Sequence, residues 1–484
     1  MHPYLTFLAL VLLISLLALI AFRLEPERPA ANGLVGLTLC GVLFWLWSVS
    51  EPSVTFSDFT VAYYPAGRAI IEDIPRLFVR CWDTPVCGFV NIPIVALLFT
   101  PFSMLTLRHA QWLFVVLSLG SLILSLWLLW SISEPTTWRK WVIALLFVMN
   151  GPLVYSVKEG NLTHVALLLL IAGVVGLEKT WERSAGVCFA LAAVIKLPLL
   201  LFVVYFAGVR RWRLVTGYGL TLVTISALSL WYAGWASHVE WYREVIQPLS
   251  GQGLAAFNVQ SIEGVLLRLQ DGARLYDWKP VPAPAGVRLT GQAAAVLLVG
   301  LSCLVCLRNP LSRPRETLYV ELSMVLCLSL LISPISWTHY YLFLLLPLSL
   351  YAGNRLAIPA QGGWLAAMIV CTLLVSPPVI FAGEQATSQW ASRLLLSHYV
   401  LGALLLWGVL AAIRWKLGAA HPLRLVASGE KRPMPFPAQA LSEAPRSELG
   451  HRQRSPSPRG RQTWPSGHSL SLAQRNCPSA KVGW

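Results

Sequence analysis

Residues 185–208 read AGVCFALAAVIKLPLLLFVVYFAG, an apolar segment long enough to cross a bilayer but interrupted by Lys196-Leu197-Pro198. Its direction determines on which side of a membrane all later residues lie. Basic clusters flank both ends, with Lys179 and Arg183 before it and Arg210-Arg211-Trp212-Arg213 after it. Because short cytoplasmic loops are enriched in Lys and Arg, both ends are placed on one side. The segment is therefore predicted to be a re-entrant hairpin with Lys196 at its tip, packed in protein.

The composition is that of a polytopic membrane protein. Apolar residues fill 56% of the 484 positions, charged residues only 12%, and the mean hydropathy is +0.63. Apolar runs that are long enough to cross a bilayer can satisfy their backbone N–H and C=O groups in lipid only as helices. The net charge of +15 fits basic loops and a basic tail better than a nucleic-acid partner. We predict an all-α polytopic membrane helix bundle with about eleven spans plus the hairpin. The spans are placed near residues 4–22, 33–50, 110–131, 141–157, 161–177, 212–233, 288–307, 317–333, 338–353, 363–381 and 398–415.

Residues 1–417 are predicted to form one transmembrane domain, followed by a disordered, basic cytoplasmic tail at 418–484. The charge rule makes residues 51–109 and 234–288 extracytoplasmic loops. Cys81 and Cys87 share the first of these loops and can pair if it faces an oxidising compartment. The sequence has no metal-spaced His/Cys cluster and no nucleotide-binding glycine loop, so neither a metal nor a cofactor is predicted.

Asp58 follows an apolar run and opens the first extracytoplasmic loop. A carboxylate at the mouth of an apolar bundle is costly to place there, which favours a functional role. The alternative is a loop aspartate that caps a short helix. The predicted topology brings Asp58 to the same face as residues 158–161, the Lys196 tip, the 234–288 loop and residues 333–339.

Short motifs follow one another in order between about residues 50 and 355. They are Asp58-Phe59, Tyr63-Tyr64, Ala66-Gly67, Asn91-Ile92-Pro93, Phe99-Thr100-Pro101, Lys158-Glu159-Gly160-Asn161, Ala185-Gly186, Lys196-Leu197-Pro198, Arg210-Arg211-Trp212-Arg213, Asn258-Val259-Gln260-Ser261, Ser333-Pro334 and Ser336-Trp337-Thr338-His339.

This ordered series resembles glycosyltransferase family 87, the bacterial polyprenol-phosphate-mannose-dependent mannosyltransferases of the GT-C fold. Glu159-Gly160 stands where that family usually carries Gln in a Gly-Gln-x-Asn motif, and His339-Tyr340 stands where it commonly carries His-His. An extra span also precedes the one that leads to Asp58. These departures bear on the donor and acceptor rather than on the fold.

The resemblance implies that Asp58 is the general base for the acceptor hydroxyl. A phosphodiester donor has a good leaving group, so the reaction needs a base and cations near the departing phosphate rather than a general acid. By analogy with inverting glycosidases, the carboxylate activates the nucleophile on the face opposite the leaving group. Inversion from a beta-linked donor to an alpha-linked product is implied by the family alone.

Candidate ligands of the donor phosphate are Lys196, His339, Lys158 and Arg243, because the topology can place each near the outer face. An ionised lysine within an apolar segment is costly unless paired, and a lipid phosphate is a natural partner. Lys196 can instead snorkel or pair with Glu159, His339 can belong to an interfacial aromatic cluster, and Arg243 can pair on a surface helix.

A second set of polar and aromatic residues is predicted to contact the sugar or the acceptor. Small polar residues in such positions also cap helices, and loop tyrosines also anchor at lipid headgroups. The set is Tyr63, Tyr64, Asn161, Asn258, Gln260, Ser261 and Trp337.

The sequence thus predicts a hexosyltransferase of the bacterial inner membrane with its active site on the extracytoplasmic face. It would move a mannosyl or related unit from a polyprenyl-phosphate donor to a lipid-linked or cell-envelope glycan. Its partners would be these lipids and the bilayer, with no nucleic acid. The alternatives are a transporter or flippase of lipid-linked sugars, which tends to show deep ionisable groups and matching halves, and a non-catalytic scaffold of the same fold.

Overall fold

The computed structural model describes residues 56–72, 74, 77–78, 88–248, 252–270, 275, 278–307, 315–377 and 390–427. The predicted spans near 4–22 and 33–50, the pairing of Cys81 with Cys87, and the tail beyond residue 427 lie outside the described residues.

The described residues form an assembly of helices, as predicted, with isolated β-bridges at Gly253–Val281 and Val259–Trp337. Single turns of π-helix cover Phe59–Tyr63 and Tyr242–Ile246, and 3₁₀ helix covers Leu197–Leu200 and Thr338–Leu344. The α-helices are α1 Tyr64–Glu72, α2 Pro93–Leu97, α3 Thr100–Ser103, α4 Leu107–Ile132, α5 Thr137–Val148, α6 Gly151–Glu159, α7 Thr163–Glu178, α8 Glu182–Ile195, α9 Leu201–Gly208, α10 Trp212–Trp241, α11 Ile262–Gln270, α12 Ala285–Leu307, α13 Arg315–Leu331, α14 Leu345–Ala352, α15 Gly362–Val375, α16 Trp390–Leu395 and α17 His398–Ala427.

Among the described residues, 4 helices have the length and apolar composition to cross a membrane: α4, α10 with the π turn after it, α12 and α17. A fifth crossing results if α5 and α6, which bend by 53° at their junction, count as one span. The total of about eleven spans stays a prediction. The apolar run after Ile92 forms only the short helices α2 and α3, too short to cross a bilayer.

The chain reverses direction at Lys196. The backbone there is extended (φ −135°, ψ 96°), so α8 ends. Pro198 lies at the start of the 3₁₀ turn Leu197–Leu200, where its missing N–H is not needed. Phe189 of α8 stacks on Phe202, with ring centroids 5.2 Å apart. At the base of the hairpin Arg211 pairs with Glu182 at 3.0 Å. The predicted reversal is therefore present, and its placement as a re-entrant membrane element stays a prediction.

Basic loops gather at the end of the helix assembly opposite Lys196. Arg211 pairs with Glu182 there, and Arg355 pairs with Glu178 at 2.5 Å after the adjoining helices. Arg139 binds the Ala352 carbonyl at 3.0 Å. These contacts bring together loops that the charge rule had placed on one side. The other end of the same helices carries Asp58 and the remaining polar motifs.

A buried ion pair ties together four helices in the half of the assembly that lies toward the basic loops. Arg414 Nε lies 2.7 Å from Glu321 Oε1, with the two side chains 2% and 0% exposed. Tyr205 donates a hydrogen bond to Glu321 Oε2 at 2.5 Å, and Arg414 donates to the Cys306 carbonyl at 3.1 Å. The cluster joins α9, α12, α13 and α17, so it holds the returning arm of the hairpin in place.

We expect Glu321→Leu to destabilise the protein by about 3–5 kcal/mol, because it removes the carboxylate that pairs with the buried Arg414. The double variant Glu321→Leu/Arg414→Met should recover most of this loss, since an apolar pair of similar volume needs no partner. Unfolding in SDS-containing mixed micelles measures both free energies. Glu72→Leu, a change at an exposed glutamate of α1, is the matched control. A double variant as unstable as the single variant would contradict this prediction.

Candidate active site

The Asp58 segment is held against the C-terminal end of α6. The Phe56 N–H donates to the Lys158 carbonyl at 2.6 Å. Gly160 follows with a left-handed backbone (φ +73°), and a Cβ there would lie 2.5 Å from the Cβ of Phe59. The turn therefore requires glycine both for its conformation and for the close approach of the two segments. As a result, Asn161 faces Asp58.

Asn161 makes a direct contact with the predicted base. Its Nδ2 donates to Asp58 Oδ2 at 2.6 Å, while its Oδ1 accepts hydrogen bonds from the Thr163 N–H at 3.0 Å and hydroxyl at 2.5 Å. Those two donors orient the amide, so its NH₂ group must face the carboxylate. The structure thus brings together residues that lie far apart in sequence, and it holds one oxygen of Asp58 in a defined direction.

The Asp58 carboxyl group is partly exposed at the surface but largely enclosed by protein. Burial raises its pKa, while the Asn161 hydrogen bond and the nearby Lys196 ammonium act in the opposite direction. A base with a raised pKa accepts a proton more readily once it is ionised. The environment therefore suits a carboxylate that removes a proton from a hydroxyl group.

Aromatic packing fixes the helix that follows Asp58. Tyr63 stacks on Phe99 with centroids 4.5 Å apart, and Ser103 donates to the Tyr64 carbonyl at 2.6 Å. A Cβ at Gly67 would lie 2.5 Å from the backbone of Phe99. The predicted motifs Ala66-Gly67 and Phe99-Thr100-Pro101 therefore form one close contact between α1 and α3 that makes this side of the site rigid.

Lys196, at the hairpin tip, is only 5% exposed. Its Nζ lies 4.6 Å from the centroid of the Tyr340 ring, a cation–π distance. Within the described part of the chain, no ion pair to a carboxylate is formed by this lysine. Asn91 donates to the Ile195 carbonyl at 2.9 Å and so closes the end of α8 beside it. The ammonium is held by an aromatic face and backbone packing, which leaves its charge available to an anion.

Lys196 and Tyr340 line a cavity of about 370 Å³. The hairpin tip, residues 90–92, the π turn after α10 and residues 329–340 form its walls. Most of these walls are apolar, and Asn91, Ser329 and Ser333 add polar groups. An apolar cavity with a buried cation at one side fits a ligand that has an anionic head and a hydrocarbon body.

His339 directly precedes the cavity residue Tyr340 and lies next to a second carboxylate. Its Nδ1 is 3.4 Å from Glu159 Oε2, with both side chains less than 10% exposed. Tyr155, one turn before Glu159 on α6, interacts with the same carboxyl group. Asn258 interacts with the Tyr155 side chain, and its Oδ1 accepts from Trp278 at 3.0 Å. These residues connect the 252–261 segment with the surroundings of His339.

The other predicted residues lie in several places. Trp337 lines the cavity, and Lys158 is buried next to Glu159. Tyr64 donates to the Leu105 carbonyl at 2.8 Å, and Arg243 is exposed on the π turn after α10.

Gln260 and Ser261 serve the loop itself. Gln260 Nε2 donates to the carbonyls of Phe257 and Leu396, at 2.9 and 2.8 Å. Ser261 donates to the Pro334 carbonyl at 2.9 Å and accepts from the Gly264 N–H at 3.1 Å, as a helix cap does. Their hydrogen bonds hold the loop that carries Asn258 rather than facing Asp58.

Sequence reasoning missed Glu159, Tyr155 and Tyr340 as members of the site. In the sequence Glu159 is a departure from the family motif and an alternative partner for Lys196, and its spacing of four from Tyr155 on a helix is the signal that both face one side. Tyr340 adjoins His339 in sequence, but only the fold places its ring under Lys196.

Comparisons with known proteins identify the family of the chain. The model of "Glycosyltransferase family 87" matches residues 89–334, a range that includes Asn161 and Lys196. A polyprenol-phosphate-mannose-dependent alpha-(1-2)-phosphatidylinositol mannoside mannosyltransferase of Mycolicibacterium smegmatis is 26% identical over 430 residues, which cover 81% of this chain and 94% of that protein. The enzyme of the same name from Mycobacterium tuberculosis is 25% identical over 347 residues, 64% of this chain and 77% of that protein. A family match over more than half of its length shows that the chain belongs to glycosyltransferase family 87.

Proposed function

We propose that the protein transfers a mannosyl unit from a polyprenyl-phosphate carrier to a glycolipid acceptor in the membrane, with Asp58 as the general base. The observation that supports this most directly is Lys196, a buried lysine held on an aromatic ring in an apolar cavity. A buried ammonium without a carboxylate in ion-pair contact is costly, and an anionic lipid head would lower that cost.

On the donor side, the phosphate contacts Lys196 Nζ and His339, and the first isoprenyl units enter the cavity. Apolar side chains of the hairpin tip and of the turn after α10 provide its walls, including Ile195 and Val245. Buried cations stabilise a departing phosphate strongly, because the low local dielectric weakens their screening. Lys196 therefore serves both the binding of the carrier and its departure.

On the acceptor side, Asp58 takes the proton of the attacking hydroxyl. The hydroxyl oxygen bonds to the anomeric carbon while the bond between that carbon and the phosphate oxygen breaks, and the phosphate leaves with the electron pair. Attack opposite the leaving group inverts the anomeric centre. Asn161 holds one Asp58 oxygen at 2.6 Å, so the other oxygen is available to the acceptor.

The two relatives act on phosphatidylinositol mannosides, so a mannose-bearing glycolipid is the proposed acceptor. The basic loops at the opposite end of the helices favour the cytoplasm for that end. The site would then face the extracytoplasmic side of a bacterial inner membrane, where a polyprenyl-linked sugar supplies the energy of transfer without a nucleotide.

The test is a transfer assay in proteoliposomes with radiolabelled polyprenyl-phosphate-mannose and a mannolipid acceptor. We expect label in the acceptor lipid only with the polyprenyl donor, and none with GDP-mannose alone. Transfer from GDP-mannose at an equal rate would exclude the proposed donor. Movement of the labelled carrier between leaflets without transfer would instead identify a flippase.

A further inference from the structure

We propose that Glu159 is a positioning residue that holds the imidazole ring of His339 by its Nδ1 and thereby presents Nε2 to the donor phosphate. This inference rests on the proposed function, because the phosphate is the ligand that Nε2 would meet. In this inference Glu159 orients the His339 ring, whereas Asp58 is the carboxylate that takes the proton of the acceptor hydroxyl.

The contact between the two side chains is buried and involves one ring nitrogen of His339. Glu159 Oε2 lies 3.4 Å from His339 Nδ1, while Nε2 is fully enclosed and has no hydrogen-bond partner among the described residues. Hydrogen bonds in an unliganded site are often long and tighten when substrate binds. A buried ring nitrogen without a partner is costly, so Nε2 is the nitrogen left for a ligand.

Other side chains surround the carboxyl group of Glu159. Tyr155 lies one turn before it on α6 and interacts with it, and Asn258 interacts with Tyr155. An ionised Glu159 can only accept from Nδ1, so in that form it favours the tautomer of His339 that carries hydrogen on Nδ1. This arrangement resembles the way that a carboxylate fixes the ring of a metal-binding or catalytic histidine.

The surroundings of the ring connect Nε2 to the donor site. The His339 ring lies 5.0 Å from the Tyr340 ring, and Tyr340 supports the Lys196 ammonium on its face. Tyr155 lies on another side, with centroids 6.3 Å apart. An anion bound at Lys196 would therefore lie close to His339, and the arriving negative charge would favour a second proton on the ring. With that proton, Nε2 becomes a donor to a phosphate oxygen while Glu159 balances the imidazolium.

The experiment compares Glu159→Gln with Glu159→Leu. The Gln side chain keeps a carbonyl that can accept from Nδ1, so we expect its transfer rate to fall by no more than about tenfold. Leu removes the acceptor, and we expect a fall of about 10²-fold, the scale of losing one aligned donor to developing charge. Binding of undecaprenyl phosphate, measured by the shift in thermal unfolding of each variant, should weaken in the Leu variant and change little in the Gln variant.

A double-mutant cycle with His339→Gln provides the decisive readout. In that background the ring is absent, so Glu159→Leu should cost less than about threefold. Additive losses, or a Gln variant as impaired as the Leu variant, would overturn the inference. A native chain that binds undecaprenyl phosphate and transfers mannose, with a Glu159→Leu variant equal to it, would overturn this inference alone. A native chain that does neither would overturn the proposed function and this inference with it.

Discussion

Asp58→Asn is expected to lower kcat of mannosyl transfer by about 10²- to 10⁴-fold, the range that a positioned general base contributes. The amide has nearly the same size and can still accept the Asn161 hydrogen bond through its carbonyl. It cannot take the acceptor proton, so binding of the donor should remain near the native level. Initial rates at saturating polyprenyl-phosphate-mannose measure kcat. A variant that transfers mannose at the native rate would exclude Asp58 as the base.

The pH dependence of the transfer rate should also show that Asp58 acts as the base. Burial raises the pKa of Asp58, and only the ionised carboxylate can act as a base. The native rate should therefore increase with pH as Asp58 loses its proton, with a midpoint above 3.8, the usual pKa of an aspartate. This acidic limb should disappear from the residual activity of Asp58→Asn. Glu72→Gln, at an exposed residue of α1, should keep both the rate and the limb.

Lys196→Met is expected to lower kcat/KM for the donor by about 10²- to 10³-fold, because it removes a buried cation from the departing phosphate. Methionine fills a similar volume, so the hairpin tip should keep its packing. KM should rise and kcat should fall, since in the proposed mechanism the ammonium contacts the phosphate before and during transfer.

Lys179→Met is the matched control for Lys196→Met. Lys179 is an exposed lysine that lies 5.0 Å from the Trp181 ring, near the opposite end of the helices. It has a similar aromatic neighbour but no cavity, so its loss should leave kcat/KM within about twofold of the native value. If both variants behaved alike, Lys196 would have no special part in binding the donor.

The reversal at Lys196 was predictable because charge patterns report on sides of a membrane. Like charges on both flanks of one apolar segment permit few topologies. The same accounting brought Asp58, Asn161, Lys196 and His339 to one end of the helices. These are coarse relations, which depend on which end of a helix a residue occupies and not on the details of packing.

Which of the polar residues would be free to bind a ligand and which would bind the backbone was not predictable. Gln260 and Ser261 lie in a motif that suggested sugar contacts, yet their partners are backbone carbonyls reached only after the chain has folded. Arg268 is another residue whose partners could not be predicted from the sequence. It is fully buried and binds the Ala256 carbonyl at 3.0 Å and the Ser397 hydroxyl at 2.8 Å. A sequence pattern indicates that a polar residue lies near a site, but it does not say whether its partner will be ligand or backbone.

On the proposed topology, the length of the hairpin sets the depth of Lys196 in the membrane. α8 has 14 residues, so Lys196 lies about 21 Å from the level of Glu182, at 1.5 Å per residue. Arg211 pairs with Glu182, so the neighbouring α10 starts near the same level, and its exposed Trp231 lies about 29 Å from Trp212 by the same rise. With Trp231 at the headgroup level, the lysine would lie about 8 Å below it. The phosphate of the proposed carrier would then bind below the headgroups while its isoprenyl chain stays in hydrocarbon, so the transfer rate would depend on bilayer thickness.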